Sequence, residues 1–212
     1  MVYGERFNSI SHLVGAALAA VATVFLIVLA AREGNPWKIV SFSVYGAMLL
    51  TMYTTSTLYH SLRGRAKRIW CKFDHCTIYL LIAGSYTPFL LVSLRGAWGW
   101  TLFGAVWALA VVGIAQEILL AKGARVSSLV IYLAMGWLGL VAIGPLADAL
   151  TWPGVAWLVA GGLFYTAGLG FYVNDRRLWW GHGVWHLFVL MGSACHFIAI
   201  VLYVALSTTL AR

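Results

Sequence analysis

A pair of histidines offers the clearest chemistry in this 212-residue sequence. His182 and His186 lie in the segment HGVWH. On a helix, both imidazoles would project from the same face, about 6 Å apart along the axis. Two imidazoles placed in this way can bind one metal ion. The same spacing also fits a helix cap, or an interfacial position beside Trp179, Trp180 and Trp185. Spacing alone leaves both interpretations open.

Residues elsewhere in the chain can complete a metal site. His60 can supply a third nitrogen, and three protein ligands plus a water are typical of catalytic zinc. Asp74 can then hold the water on the Zn²⁺. Ser56 precedes His60 by one helical turn and can bond the water or a ligand, unless its hydroxyl only bonds back to its own helix. The site requires that these segments meet at one depth.

The composition determines which elements position these residues. The chain is 62% hydrophobic and 9% charged, with a mean hydropathy of +0.89, whereas soluble domains carry roughly a quarter charged residues. So few charges cannot cover a globule in water, which excludes a soluble enzyme. The sequence lacks the ten-residue alternation of a membrane β-barrel. Long apolar runs interspersed with Gly, Ala, Ser and Thr instead favour closely packed transmembrane helices.

Charges, glycines and prolines divide the apolar sequence into seven segments, each near the length of about 20 residues that a spanning helix needs. Pro36, Pro145 and Pro153 are expected in loops, and Pro88 is expected to kink the third span. The predicted fold is all-α, with 1–212 as one bundle of seven transmembrane helices. The predicted spans are 10–31, 38–62, 74–94, 98–120, 126–144, 154–173 and 182–208.

Basic residues between the spans predict the orientation. Ten of the 14 Lys and Arg residues fall on the side of the N-terminus and four on the other side. The positive-inside rule therefore places the N-terminus in the cytoplasm and the C-terminus outside. The ten are Arg6, Arg63, Arg65, Lys67, Arg68, Lys72, Lys122, Arg125, Arg176 and Arg177, and the four are Arg32, Lys38, Arg95 and Arg212.

The same pattern bears on partners. The net charge of +8 comes from short basic runs between apolar stretches, so nucleic acid is not expected to bind. The run from Arg63 to Lys72 also suits anionic lipid headgroups, but its role in setting the orientation is the stronger explanation.

In this topology the second span ends at the cytoplasmic face, where the third and seventh spans begin. His60, Asp74, His182 and His186 then share one depth. This coincidence favours a metal site over a helix cap for the histidine pair.

Three further histidines receive other roles. His12 lies near the same face and is expected to support or pack against the site rather than to ligate. His75 is rotated about 100° from Asp74 on an ideal helix, so both cannot face one centre equally well. His196 lies about 15 Å beyond His186 and is expected to form an interhelical hydrogen bond or to line a pocket.

Four motifs, taken in order, resemble the hemolysin III family of the progestin and adipoQ receptor group, which has the adiponectin receptors as distant relatives. The motifs are NSISHLVGA at 8–16, STLYH at 56–60, FDHCTIYLLIAGSYTPF at 73–89 and HGVWHLFVLMGSACHF at 182–197. The resemblance implies seven membrane helices with the N-terminus inside and a zinc site near the cytoplasmic face. It implies His60, His182 and His186 as the ligands, with Asp74 and Ser56 around the water.

The resemblance implies more than one function. Alkaline ceramidases, in the wider superfamily, share the arrangement of Ser, Asp and three His, which implies metal-dependent hydrolysis of a lipid amide. The hemolysin III name implies pore formation, and bacterial members are linked to membrane lipid homeostasis. Our preferred hypothesis is a multi-pass zinc hydrolase of the bacterial inner membrane that acts on a lipid amide or ester, with membrane lipids as its partners.

Two alternatives remain at this stage. One is a membrane sensor, similar to a receptor, that structural zinc stabilises. The other is a pore-forming cytolysin, which ranks last because an ion path would show polar residues along its depth, whereas the polar groups here crowd at one face.

Overall fold

The computed structural model describes residues 4–120, 126–175 and 177–207, and within these ranges it is helical with no strand. The all-α prediction is confirmed. Short π-helical segments, Phe89–Ser93 and Val201–Ala205, continue α3 and α7, and a 3₁₀ segment, Leu138–Ala142, joins α5 to α6. The α-helices are α1 (Arg6–Glu33), α2 (Pro36–Ser61), α3 (Gly64–Pro88), α4 (Ala97–Leu119), α5 (Val126–Gly136), α6 (Ile143–Val173) and α7 (Gly181–Ile200).

Most of the helical sequence is suited to a membrane. Large apolar side chains such as Leu18, Val21 and Val112 are exposed on the outside of the bundle, which lipid tolerates and water does not. α2 carries many hydroxyl side chains and packs between α1 and α3. Five continuous stretches are long and apolar enough to cross a membrane: Arg6–Glu33, Gly64–Ser93, Ala97–Leu119, Val126–Val173 and Gly181–Ala205. The protein is therefore a multi-pass integral membrane protein.

The prediction of a loop between residues 144 and 154 is wrong. Helix α6 covers this range and is broken at Thr151, whose φ of 62° and ψ of 163° are not helical. Pro153 follows the break, and Pro145 and Pro36 lie in the first turns of α6 and α2. These prolines start helical segments because a first-turn residue has no intrahelical N–H bond to lose.

Helix α3 begins ten residues before the predicted span, at Gly64. The basic run from Arg63 to Lys72 is thus almost wholly helical rather than a loop. Lys and Arg are good helix formers, and a helix needs apolar side chains only where lipid surrounds it. Asp74 consequently lies almost three turns inside α3 instead of opening it.

Packing brings three helix ends together. α7 packs on both α6 and α1, and α1 packs on α2. Gly183 lets α7 approach α1, because a Cβ atom there would lie 2.7 Å from the Phe7 ring and 3.2 Å from Asn8 Oδ1. The starts of α1 and α7 and the end of α2 therefore meet at one end of the bundle.

The orientation of the bundle stays a prediction. Four of the basic residues on which it depends lie outside the described residues: Lys122, Arg125, Arg176 and Arg212.

Candidate metal centre

Three histidines from two helices meet at this end of the bundle. His60 comes from the last turn of α2, and His182 and His186 come from the first two turns of α7. Their ligand nitrogens all lie within 4.8 Å of one another. The ring centroid of His60 is 5.0 Å from that of His182 and 4.8 Å from that of His186. The sequence predicted only that these three histidines share one membrane depth, and the structure places them close together.

Each of the three rings is held through its Nδ1 atom. His60 Nδ1 lies 2.7 Å from the Glu5 carboxylate, and His182 Nδ1 lies 3.4 Å from the Asp175 carboxylate. His186 Nδ1 lies 3.1 Å from the backbone carbonyl of Asn8. Ionised carboxylates and carbonyls only accept hydrogen bonds, so each Nδ1 carries the proton and donates it. Each Nε2 atom then keeps a lone pair, the form in which neutral histidine binds a metal.

The Nε2 atom of His60 tests whether this donor set fits a cation. It is buried and has no hydrogen-bond partner in the structure. A buried acceptor without a partner costs free energy. Zn²⁺ is bound by imidazole nitrogen, and three such ligands match a catalytic zinc site. The residues present therefore fit the predicted metal.

Glu5 is tied to a base as well as to a ligand. Lys67 of α3 forms an ion pair with the Glu5 carboxylate and lies over the Tyr59 ring. Burial raises the pKa of Glu5, but the hydrogen bonds from Lys67 and His60 outweigh it and hold this pKa below its usual value. Glu5 thus stays ionised and can anchor the His60 ring.

Helix α1 also contacts the predicted ligands on α7. The His12 ring stacks on the His186 ring, with centroids 3.6 Å apart and planes at 12°. His12 Nδ1 lies 2.7 Å from Ser56 Oγ, and Ser11 Oγ lies 3.2 Å from His186 Nδ1. His12 thus packs against the clustered histidines, as expected. That it does not bind the metal stays a prediction.

An apolar cavity of about 100 Å³ adjoins the centre and is lined mainly by α3, α5, α6 and α7, with α1 and α2 at its edge. Its lining includes Ser56, Asp74, His12, His182 and His186. The two predicted catalytic residues therefore share a cavity with two of the predicted ligands. Their roles in catalysis stay predictions.

The other two histidines also line this cavity, but they bond groups away from the three clustered histidines. His75 Nδ1 donates to the Cys71 carbonyl of its own helix, and His75 Nε2 lies 3.4 Å from the Tyr172 hydroxyl. His196 Nε2 donates to the Leu158 carbonyl of α6 over 3.3 Å. The interhelical hydrogen bond predicted for His196 is confirmed, and the same residue also lines the cavity.

Sequence reasoning missed the groups that hold the ligand rings. Glu5 and Asp175 lie just outside the predicted spans, and Asn8 acts through its backbone. A signal for part of this set was present, because Glu5, Asn8 and His12 are spaced three and four residues apart and would share one helix face.

Comparisons with known proteins agree with the motifs. The family model for haemolysin-III-related proteins matches residues 2–197. Hemolysin-3 of Bacillus cereus is 43% identical over 201 residues, which cover 94% of this chain and 91% of that protein. The Hemolysin-3 homolog of Bacillus subtilis (strain 168) is also 43% identical, over 200 residues that cover 94% of this chain and 93% of that protein.

The chain is also similar to a human protein. Monocyte to macrophage differentiation factor of Homo sapiens is 27% identical over 214 residues, which cover 98% of this chain and 84% of that protein. The likeness supports placing the family within the progestin and adipoQ receptor group. The family model matches nearly the whole chain. The chain belongs to the haemolysin-III-related family.

Proposed function

We propose that this protein is a zinc-dependent hydrolase that cleaves an amide or ester bond of a membrane lipid. One observation carries the proposal. Three imidazoles whose Nδ1 atoms are hydrogen-bonded, and whose ligand nitrogens lie within 4.8 Å of one another, lie beside an apolar cavity that the Asp74 carboxylate also lines. Such a ligand set leaves a coordination position open, which distinguishes catalytic zinc from structural zinc.

The ligands in this proposal are His60, His182 and His186. When bound there, Zn²⁺ supplies a Lewis acid that polarises a carbonyl and lowers the pKa of a water to about 7. The remaining chemistry belongs to the chain. Asp74 accepts a proton from the water that adds to the lipid carbonyl, the C–N or C–O bond breaks, and the proton passes to the leaving amine or alcohol. Ser56 orients the water, and the apolar cavity holds the acyl chain.

The proposal includes a topology of seven crossings with the N-terminus in the cytoplasm. Val126–Val173 has 48 residues, about 72 Å of helix, which is more than twice the hydrocarbon thickness of about 30 Å. The break at Thr151 divides it into two crossings, and α2 supplies another. A reporter fused after residue 212 should be active only outside the cytoplasm, and activity inside would refute the topology.

We also propose that in a bacterial cell the protein lies in the inner membrane. The metal centre then lies near the cytoplasmic surface, within reach of lipids of the inner leaflet.

Two competing functions make different predictions. In a zinc-stabilised sensor, Asp74 would close the site as a fourth ligand, and zinc would raise stability without turnover. The relatives named Hemolysin-3 raise cytolysis as the other function. In the described residues the buried ionisable groups lie mainly at the two ends of the bundle, which argues against an ion path through its length.

Vesicle assays test the proposal. The full chain, reconstituted with a ceramide or a phospholipid, should release fatty acid when loaded with zinc, and His186→Ala should abolish the release. Zinc-loaded protein that raises its melting temperature but cleaves neither lipid class would support the sensor. Leakage of vesicle contents without cleavage would support the cytolysin.

A further inference from the structure

One buried nitrogen in the middle of the bundle has no partner. His196 Nε2 donates to the Leu158 carbonyl, and a carbonyl only accepts, so Nε2 carries the ring proton. His196 Nδ1 must then be an acceptor with a lone pair. This atom is buried and no group of the structure bonds it.

The ring is held in place by close packing against α6. A Cβ atom on Gly161 would lie 2.4 Å from His196 Cδ2 and 2.5 Å from its Nε2 atom. Only a glycine leaves space for the imidazole to reach the Leu158 carbonyl. The Tyr165 ring lies on another side, with its centroid 5.5 Å from that of His196. The direction of the Nδ1 acceptor is therefore fixed by the fold.

His196 lies where two cavities adjoin. It lines the cavity beside the metal centre and a second one of about 70 Å³ that continues towards Leu102 and Leu146. Along α7, His196 is ten residues from His186, or about 15 Å, half the hydrocarbon thickness of about 30 Å. A chain that extends from the metal centre into the bundle would pass this acceptor at the membrane midplane.

Neighbouring polar groups at this level already have partners. Ser85 donates to the Ile82 carbonyl, and Tyr86 donates to the Gly136 carbonyl and accepts from the Gly139 amide. Thr166 donates to the Gly162 carbonyl and accepts from the Trp137 ring. Among the described residues that line the second cavity, His196 alone has a buried side-chain nitrogen or oxygen without a partner.

We propose that His196 accepts a hydrogen bond from a hydroxyl group part-way along the acyl chain of the lipid. The protein would then bind hydroxylated chains in preference to unmodified ones. The hydroxyl donates to Nδ1, and the apolar walls on either side hold the methylene groups. The inference rests on the proposed function, because it takes the cavity to hold a chain that begins at the metal centre.

A hydroxylated chain suits this acceptor better than a water does. A buried water is held by two to four polar partners, whereas the hydroxyls of Ser85, Tyr86 and Thr166 already donate their protons to backbone carbonyls and have none to give to a water. A lipid hydroxyl needs only the one bond, since the rest of the chain is held by apolar contact.

Binding of two matched fatty acids tests the proposal without turnover. Ricinoleic acid and oleic acid differ by one hydroxyl group about two thirds of the way along the chain. The full chain in detergent should bind ricinoleic acid about 3- to 10-fold more tightly, the range that one net hydrogen bond supplies. In His196→Phe, which keeps a ring of similar size, oleic acid should still bind and the preference should disappear.

Two further variants make the test specific. Gly161→Ala displaces the ring without removing it and should also reduce the preference. Ser85→Ala is the matched control, because that hydroxyl already bonds its own helix, and it should keep the preference.

Three outcomes would overturn the inference. Equal binding of the two acids to the unmodified protein would mean that no residue recognises the hydroxyl. Binding of both acids would still support the proposal that the cavity holds a lipid chain. A preference that survives in His196→Phe would place the recognition elsewhere. If neither acid binds, the inference and lipid use of the cavity fail together. Melting temperatures of the unmodified protein with each acid give the same comparison if His196→Phe does not fold.

Discussion

The two ends of the bundle both bury ionisable side chains, but the hydrogen bonding of these side chains differs between the ends. At the start of α2, Lys38 is 1% exposed. Its Nζ atom lies 2.7 Å from the Glu33 carboxylate and 2.9 Å from the Ala205 carbonyl. At the end of α2, about 33 Å away along the helix, His60 bonds Glu5 through one nitrogen and leaves the other buried and unpaired.

The difference separates a structural cluster from a site that can bind a ligand. The Lys38 cluster joins α1, α2 and the end of the π-helical segment after α7 through bonds that the chain completes itself. The histidine end orients three rings and leaves acceptors for something that the chain does not supply. Ser41 Oγ and Tyr45 OH on α2 are also buried without a partner, so an unpaired polar atom alone does not mark a site. The histidine end differs because its unpaired nitrogen belongs to a cluster of three imidazoles that could hold a metal ion.

The largest expected effect is the loss of zinc on removing a ligand. The purified protein should contain about one zinc per chain, and His182→Ala or His186→Ala should reduce this to near zero because two ligands rarely retain zinc. Elemental analysis of the purified variants measures it. Full zinc occupancy in both variants would refute the ligand assignment.

A smaller effect is expected at the group that orients His60. Glu5→Gln keeps the size of the side chain but removes the charge that stabilises the His60 ring, so zinc affinity should fall by roughly 10- to 100-fold, as for other groups that hold metal ligands. Competition with a zinc chelator gives the affinity. Glu33→Gln at the opposite end is the matched control and should leave the affinity unchanged. Equal affinities for all three proteins would show that Glu5 is not a positioning residue.

Asp175→Asn should have a weaker effect than Glu5→Gln. The Asp175 carboxylate lies 3.4 Å from His182, against 2.7 Å for Glu5 and His60, and a longer hydrogen bond holds the ring less firmly. We expect a decrease in zinc affinity below about 10-fold. The same chelator competition measures it, and a larger loss than in Glu5→Gln would reverse the order assigned to the two carboxylates.

No effect on zinc is expected at the other end of the bundle. Lys38→Met keeps the apolar stem but removes the Lys38 ammonium from the Glu33 and Ala205 acceptors, which should cost about 1–3 kcal/mol of stability. Thermal unfolding in detergent should show a lower melting temperature at unchanged zinc content. If zinc were lost as well, the two ends would not be independent.

The comparison also explains what the sequence could predict. The clustering of His60, His182 and His186 could be predicted because spans fix depth, and residues at one depth on neighbouring helices can meet. The carboxylates that contact these histidines were missed because Glu5 and Asp175 lie outside the predicted spans. Membrane depth does not constrain the position of such residues, and their contacts depend on the path of the chain outside the membrane.

The errors in the helix boundaries have a similar cause. Charge and proline mark where lipid ends, not where a helix ends. α3 therefore extends over the basic residues before Asp74, and α6 continues past Pro145 up to the break at Thr151. Hydropathy predicts the apolar part of each helix, while its full length depends on hydrogen bonding and packing outside the membrane.

The most direct test of a catalytic zinc centre is Asp74→Asn, with zinc content and lipid hydrolysis measured on one preparation. Asparagine keeps the size and one oxygen acceptor of Asp74 but cannot take a proton. We predict that about one zinc per chain remains while hydrolysis falls by roughly 10²- to 10⁴-fold, the contribution of a general base. Release of zinc with a lower melting temperature would instead make Asp74 a ligand of a structural site, and unchanged hydrolysis would contradict its catalytic role.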